Sequence, residues 1–141
     1  MQDEVKLSEI NLTAKDGSPV QLAYEESGDI LEIVFAGVEP DCALELNDHI
    51  LLSFNRQQQA AAGLTILDFS MLATPTEFGP RTFALSGLDG LPTELTETVI
   101  HLLAHSPVNQ FLKLLSFQPA TGKPIPLTYF ERTPAATIAA D

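Results

Sequence analysis

Residues 24–35, Tyr24-Glu25-Glu26-Ser27-Gly28-Asp29-Ile30-Leu31-Glu32-Ile33-Val34-Phe35, press four carboxylates against a run of β-forming side chains. Apolar residues alternate on the approach, at Val20, Leu22 and Tyr24, and β-branched and aromatic residues crowd the exit from Ile30 to Phe35. Such runs are strands, and the short gap between them is a hairpin loop. The gap contains Gly28. Hairpin loops of three to five residues often end on a left-handed residue, where glycine has no Cβ to clash. Asp29 can accept backbone hydrogen bonds in such a loop while Glu25 and Glu26 face water. A calcium loop would need the D-x-[DN]-x-[DN]-G spacing and a distant bidentate Glu, and neither is present. The acids therefore read as shapers of a turn rather than as ligands.

Outward from the hairpin, the first half continues as short strands and turns. Val5 to Leu12 alternates apolar and polar residues, and Lys15-Asp16-Gly17-Ser18-Pro19 supplies turn chemistry. Leu44 and Leu46 alternate with Ala43 and Glu45, Asn47-Asp48 marks a turn, and Ile50, Leu52 and Phe54 resume the pattern. The Gln/Ala tract from Gln57 to Ala62 reads as an enlarged hairpin loop, and Leu64 to Phe69 as the next strand. Connections this short imply antiparallel pairing, because a parallel crossover takes about a dozen residues.

The second half changes character. Thr74 to Pro80 reads as loop, Arg81 to Ser86 as a strand, and Thr93 to His105 as the clearest helix of the chain. Thr93 suits the N-cap, Glu94 and Glu97 suit the first turn, and Leu95, Val99, Leu102 and Leu103 form one apolar stripe. Ser106-Pro107 ends it. For residues 107–118 two readings stand, a second helix begun by Pro107 or a strand through Leu114 to Gln118. Ile125 to Phe130 reads as the last strand, with Pro124 and Pro126 favouring an edge. No internal repeat stands out.

Two blocks of the first half resemble a known family. Tyr24, Asp29, Leu31 and Ile33 match the Tyr-Asp-x-x-x-Asp-x-Leu-Tyr-Ile signature of a small bacterial family, domain of unknown function number 2283, with Glu25 in place of the first Asp. Gly63-Leu64-Thr65-Ile66-Leu67-Asp68-Phe69-Ser70 is similar to that family's Gly-Ile-Glu-Ile-Leu-x-x-Ser strand. Glu32 stands where the family has an aromatic residue, Thr65 where it has Glu, and the 57–62 loop lacks its Asp/Gly turn. The resemblance covers residues 20–70. It implies a small antiparallel β module without established activity, whose members pair with other small proteins, some of toxin–antitoxin type.

Composition narrows the function. The net charge is −12, and twelve acids against two lysines put −10 of it in residues 1–50. Phosphate repels such a surface, and no Lys/Arg cluster exists to release counterions, so nucleic acid is not an expected partner. Solubility alone accounts for an acidic half; attraction of a basic partner is the sharper reading. No apolar run approaches the ~18 residues of a membrane span, and the Met1-Gln2-Asp3-Glu4 start lacks the basic-then-apolar order of a signal peptide. With Cys42 as the single cysteine, the expected compartment is cytoplasmic.

One set of residues invites chemistry. Glu97, His101 and His105 recur at i, i+4 and i+8 on the helix face opposite the apolar stripe, with Glu94 one turn earlier. Carboxylate and imidazole at that spacing can hold zinc or nickel. Acids early and histidines late are equally what a helix dipole favours on a solvent face, and the order is not H-E-x-x-H. No G-x-S-x-G elbow, Walker loop or dinucleotide fingerprint occurs. Ser86 to Gly90 reads as a turn, and Cys42, conceivable beside His49, reads as a small strand hydrophobe.

These readings converge on a single α+β domain over 1–141. An antiparallel β-meander at 20–70 carries one or two helices contributed by a C-terminal extension at 71–132, and a frayed tail follows at 133–141. The expected function is a non-catalytic protein-interaction module without cofactor, binding a basic protein or a second copy through the second-half helices. The alternative is a metal-binding protein or metal-dependent enzyme built on Glu97, His101 and His105.

Overall fold

A computed structural model describes residues 7–74, 76–77, 81–117 and 125–129. Six strands form one antiparallel sheet: β1 (Leu7–Thr13), β2 (Pro19–Glu25), β3 (Ile30–Phe35), β4 (Cys42–Glu45), β5 (Ile50–Asn55) and β6 (Ala60–Leu67). Their order across the sheet is β1-β2-β3-β6-β5-β4. The meander is thus doubled. Each run of three strands forms its own meander, and the two join through the antiparallel β3–β6 pair. Residues 36–41 carry the chain from β3 to the far edge, about 14 Å at ordinary strand spacing, which six residues span.

The doubled meander has an internal two-fold character that the sequence does not display. Counterparts lie thirty residues apart: Tyr24 and Phe54, Asp29 and Gln59. The Tyr24–Leu31 pair of the first hairpin becomes the Phe54–Ala61 pair of the second. Past the Ala62 bulge the offset becomes thirty-one: Leu22–Ile33 becomes Leu52–Leu64, and the Ile33–Leu64 pair of the β3–β6 ladder maps onto itself. Both hairpin loops have four residues and end at positive φ, 55° at Asp29 and 51° at Gln59. The halves differ at Ala62, a bulge where the β5–β6 register shifts. That bulge, and a run of Ala with weak strand propensity, hide the start of β6; only Arg56–Gln59 is loop, and Ala60 to Gly63 belong to the strand.

One face of the sheet builds the core. Leu22, Leu31, Ile33, Ile50, Leu52, Phe54, Leu64 and Ile66 are fully buried there, each such side chain contributing about 1.5–3 kcal/mol. A five-residue helix, α1 (Phe69–Ala73), follows β6 and buries Phe69 and Leu72 against the same face. It replaces the strand end expected at Phe69.

The second half lies on that face too. Helix α2 (Thr93–Ala104) buries Val99, Leu102 and Leu103. Pro92, not Thr93, is its N-cap residue, and no side chain caps it. Of the two readings for residues 107–118 the strand is the one found, at Lys113–Phe117; the expected second helix is only a single 3₁₀ turn at Val108–Gln110. Phe111 of this segment packs on Phe35, ring centroids 6.2 Å apart. Three strands, β7 (Thr82–Ala84), β8 (Lys113–Phe117) and β9 (Ile125–Tyr129), form a second antiparallel sheet in the order β7-β9-β8. A 3₁₀ turn at Ser86–Leu88 brings Gly87 onto the end of β4, where its N–H donates to the Leu46 carbonyl at 2.8 Å. A Cβ on Gly87 would lie 1.7 Å from the Glu45 carbonyl oxygen, so only glycine permits this approach. The tail at 133–141 lies outside the described residues.

Candidate functional site

The crowded acids of residues 25–32 divide into two roles. Asp29 is a structural fastener. Its carboxylate accepts hydrogen bonds from the Tyr24 hydroxyl at 2.7 Å, the Ser70 hydroxyl at 2.6 Å and the Ser70 N–H at 3.0 Å. Its carbonyl accepts from the Phe69 N–H at 3.1 Å. Asp29 therefore caps α1 from another part of the chain, and Tyr24 meets Phe69 edge-on at 6.2 Å. Burial raises the Asp29 carboxyl, but the Ser70 and Tyr24 hydroxyls and the Ser70 N–H outweigh it and hold the pKa below its usual value. Burial, then the hydrogen bond and charge of Asp29, push the Tyr24 phenol up to about 12. Tyr24, Asp29 and Ser70 are thus one hydrogen-bonded cluster.

The other acids face outward. The sheet face opposite the core carries Glu9, Ala23, Glu32, Thr65, Leu51 and Glu45 in one row, a residue from each strand in register. Glu9, Glu32 and Glu45 are exposed. They are spread over about 24 Å, five inter-strand steps, so their backbone positions are at least two steps, about 9–10 Å, apart, beyond a Debye length of about 8 Å. Mutual repulsion is therefore small; Glu9 Oε2 also accepts from the Gln21 amide at 3.0 Å. Val34 and Leu67 are 47% and 41% exposed on the same face. Gly63, Ser53 and Ala43 continue the row on one side of Val34, and Gln21 stands beside it on the other.

A third feature is a cleft of about 270 Å³ between the end of the sheet and the C-terminal end of α2. Phe35, Ala61, Leu102 and Val108 form its apolar floor, and Asp16, Ser18, Gln59, His101, His105 and Ser106 its polar rim. The turn bearing Asp16 is held against the second half by the Lys15 N–H, which donates to Gln110 Oε1 at 2.8 Å. Asp16 in turn accepts from the Ser18 hydroxyl at 2.5 Å and the Ser18 N–H at 2.9 Å. Those two bonds, the hydroxyl first, hold its carboxyl below the usual range.

His101 and His105 stack with ring centroids 4.1 Å apart. His105 Nδ1–H donates to the His101 carbonyl at 2.7 Å, which leaves its Nε2 as the acceptor of the neutral ring. Glu97 is exposed on the same helix but is not among the cleft residues. Among the described residues no three His, Cys, Asp or Glu side chains gather as a metal ligand set.

The remaining candidates stand apart from the cleft. Cys42 is half-buried in edge strand β4, and His49 pairs with Asp68 at 3.1 Å. Ser86 opens a 3₁₀ turn rather than a nucleophile elbow. Asp16, Ser18, Gln59 and Ser106 are the cleft residues that pattern reading misses. Each looks like ordinary loop chemistry where it stands, and only the fold assembles them. Among the described residues no helix is long and apolar enough to cross a membrane. Compared with known proteins, the chain matches no family model, no curated protein and no solved structure.

Proposed function

We propose that this protein is a non-catalytic interaction module whose outer sheet face receives a basic protein partner. The observation that carries the reading is the Glu9–Glu32–Glu45 row, spaced across all six strands beside exposed Val34 and Leu67. Aligned charge of one sign steers a partner of the other sign, and the adjacent apolar side chains supply the area that holds it. A second copy is the weaker fit. Two such faces would oppose carboxylate to carboxylate, and the apolar stripe of α2 is already buried in the core. The family resemblance at 20–70 supports the same reading, since it implies a module that pairs with other small proteins.

The test is capture from the source cell at low salt, with the triple variant Glu9→Gln, Glu32→Gln, Glu45→Gln run in parallel. A basic protein retained by the parent chain, released by moderate salt and lost from the triple variant supports the proposal. An acidic partner, one held equally by the triple variant, or a strict monomer that captures nothing overturns it.

A further inference from the structure

We propose that the cleft between α2 and the β5–β6 hairpin binds a primary ammonium or guanidinium group carried on an apolar stem. This is a second site, on the other side of the sheet from the Glu9–Glu32–Glu45 row, and it does not depend on that row.

The space exists for a reason visible in the two-fold relation of the sheet. The first hairpin has Ile30 and Leu31 where the second has Ala60 and Ala61. At the first hairpin, α1 closes the end of the sheet through Asp29 and Ser70. At the second, Ala60, Ala61 and Gln59 border a cleft instead. A volume of about 270 Å³ equals roughly nine waters. That falls just short of the range for drug-sized ligands and suits a small ligand or a single long side chain.

The polar groups favour a cation. Asp16 offers its carboxylate at the rim, and among the described residues no lysine or arginine lines the cleft to neutralise it. The C-terminal end of the twelve-residue α2 points there, and a helix C-terminus carries partial negative charge. In the neutral ring, the bond from His105 Nδ1–H to the His101 carbonyl makes Nε2 an acceptor. Below them, Phe35, Leu102 and Val108 match a methylene stem. An anion would meet the Asp16 carboxylate and the helix C-terminus, both unfavourable.

The test is an NMR titration of ¹⁵N-labelled protein at neutral pH with two cationic probes, n-butylammonium and Nα-acetyl-lysine methylamide. Their neutral counterparts are 1-butanol and Nα-acetyl-norleucine methylamide. The expected result is saturable shifts at Ala60, Ala61, His101 and His105 with the cations only. Asp16→Asn should weaken binding about three- to five-fold, the worth of an exposed charge pair, and Glu94→Gln at the opposite end of α2 should not. Tighter binding of butylammonium assigns the site to small amines, and tighter binding of the blocked lysine assigns it to a partner's side chain. Equal binding of the neutral probes, shifts away from the cleft, or an Asp16→Asn variant that folds and binds unchanged overturns the proposal. Should Asp16→Asn fail to fold, Leu102→Phe serves instead: retained binding with that bulkier floor residue overturns it equally.

Discussion

The Tyr24 hydroxyl donates to the Asp29 carboxylate at 2.7 Å, closing the hairpin loop that separates them, and the same carboxylate takes both the hydroxyl and the N–H of Ser70. One acid thereby holds a turn closed and fixes the start of α1 on the sheet. Asp29→Ala should lower stability by about 1–3 kcal/mol, because it leaves three donors short of an acceptor. Glu26→Ala, an exposed acid in the same loop, should stay within about 0.5 kcal/mol of the parent. Urea midpoints measure both. Equal midpoints for the two variants would mean that Asp29 fastens nothing.

Acid stability follows from the same carboxylate. Its folded-state pKa lies below the ordinary value of 3.8, so the folded protein holds fewer protons there than the unfolded chain. Asp29 thus stabilises the fold above about pH 4, and that contribution is lost as pH falls through the folded-state pKa. Asp29→Asn should flatten the acid limb of a stability-against-pH curve followed by circular dichroism. An acid limb as steep as the parent's would assign the loss to other carboxylates.

The alkaline limb belongs to Tyr24. Its phenol is raised from 10.0 to about 12, so between those values the unfolded chain releases a proton that the folded protein keeps. Stability should therefore fall as pH rises through that window. Absorbance near 295 nm should show one of the two tyrosines ionising late, and earlier in Asp29→Asn. Tyr24→Phe should remove the late step altogether. A late step that survives in Tyr24→Phe would assign it to Tyr129.

How much of this was legible depended on whether the signal was local. The Tyr24–Phe35 hairpin was readable because alternation and turn residues lie within a dozen residues, although the left-handed position falls on Asp29 (φ 55°) rather than on Gly28, and α2 was readable from its Leu95/Val99/Leu102/Leu103 stripe. Helix α1 was not, since its N–H groups are capped by Asp29, some forty residues earlier, and a five-residue helix has too few turns to show a period. The β6 start was hidden because the Ala62 bulge breaks the two-residue alternation. The strand order was hidden as well: pairing β3 with β6 rather than β4 is a long-range contact with no local mark. The outer acidic row needs that order before Glu9 and Glu45, at opposite edges, fall into one line. The cleft is the extreme case, drawing its lining from four separated segments.

Two glycines should be intolerant for reasons of space. A Cβ at Gly63 would lie 2.6 Å from the Ile33 carbonyl oxygen in the central β3–β6 pair. A Cβ at Gly87 would collide with the Glu45 carbonyl. Gly63→Ala should cost about 1–3 kcal/mol by forcing backbone shifts in packed structure, and Gly87→Ala should additionally detach the second half from β4. Gly17→Ala is the comparison, with a φ of 89° but nothing within 4 Å; it should cost about 1 kcal/mol from its backbone alone. Chemical denaturation ranks the three, and hydrogen exchange at Leu46 and Gly87 reports the detachment. Gly17→Ala proving the most damaging would refute the packing account.

The two-fold relation of the sheet yields a prediction that joins fold to cleft. Ala61 occupies the core-face position where the first hairpin carries Leu31, and it lines the open space. Ala61→Leu restores the larger residue on the core face, where each added buried methylene contributes about 0.8 kcal/mol. The variant should be as stable as the parent or slightly more so, while losing the butylammonium shifts. A stability loss beyond about 2 kcal/mol would show overpacking rather than filling, and the cleft would then not be the void that Ala60 and Ala61 leave. Unchanged stability with unchanged amine binding would place the amine elsewhere. Only the combination of preserved folding and abolished binding fits a space opened by small side chains beside Asp16 and the end of α2.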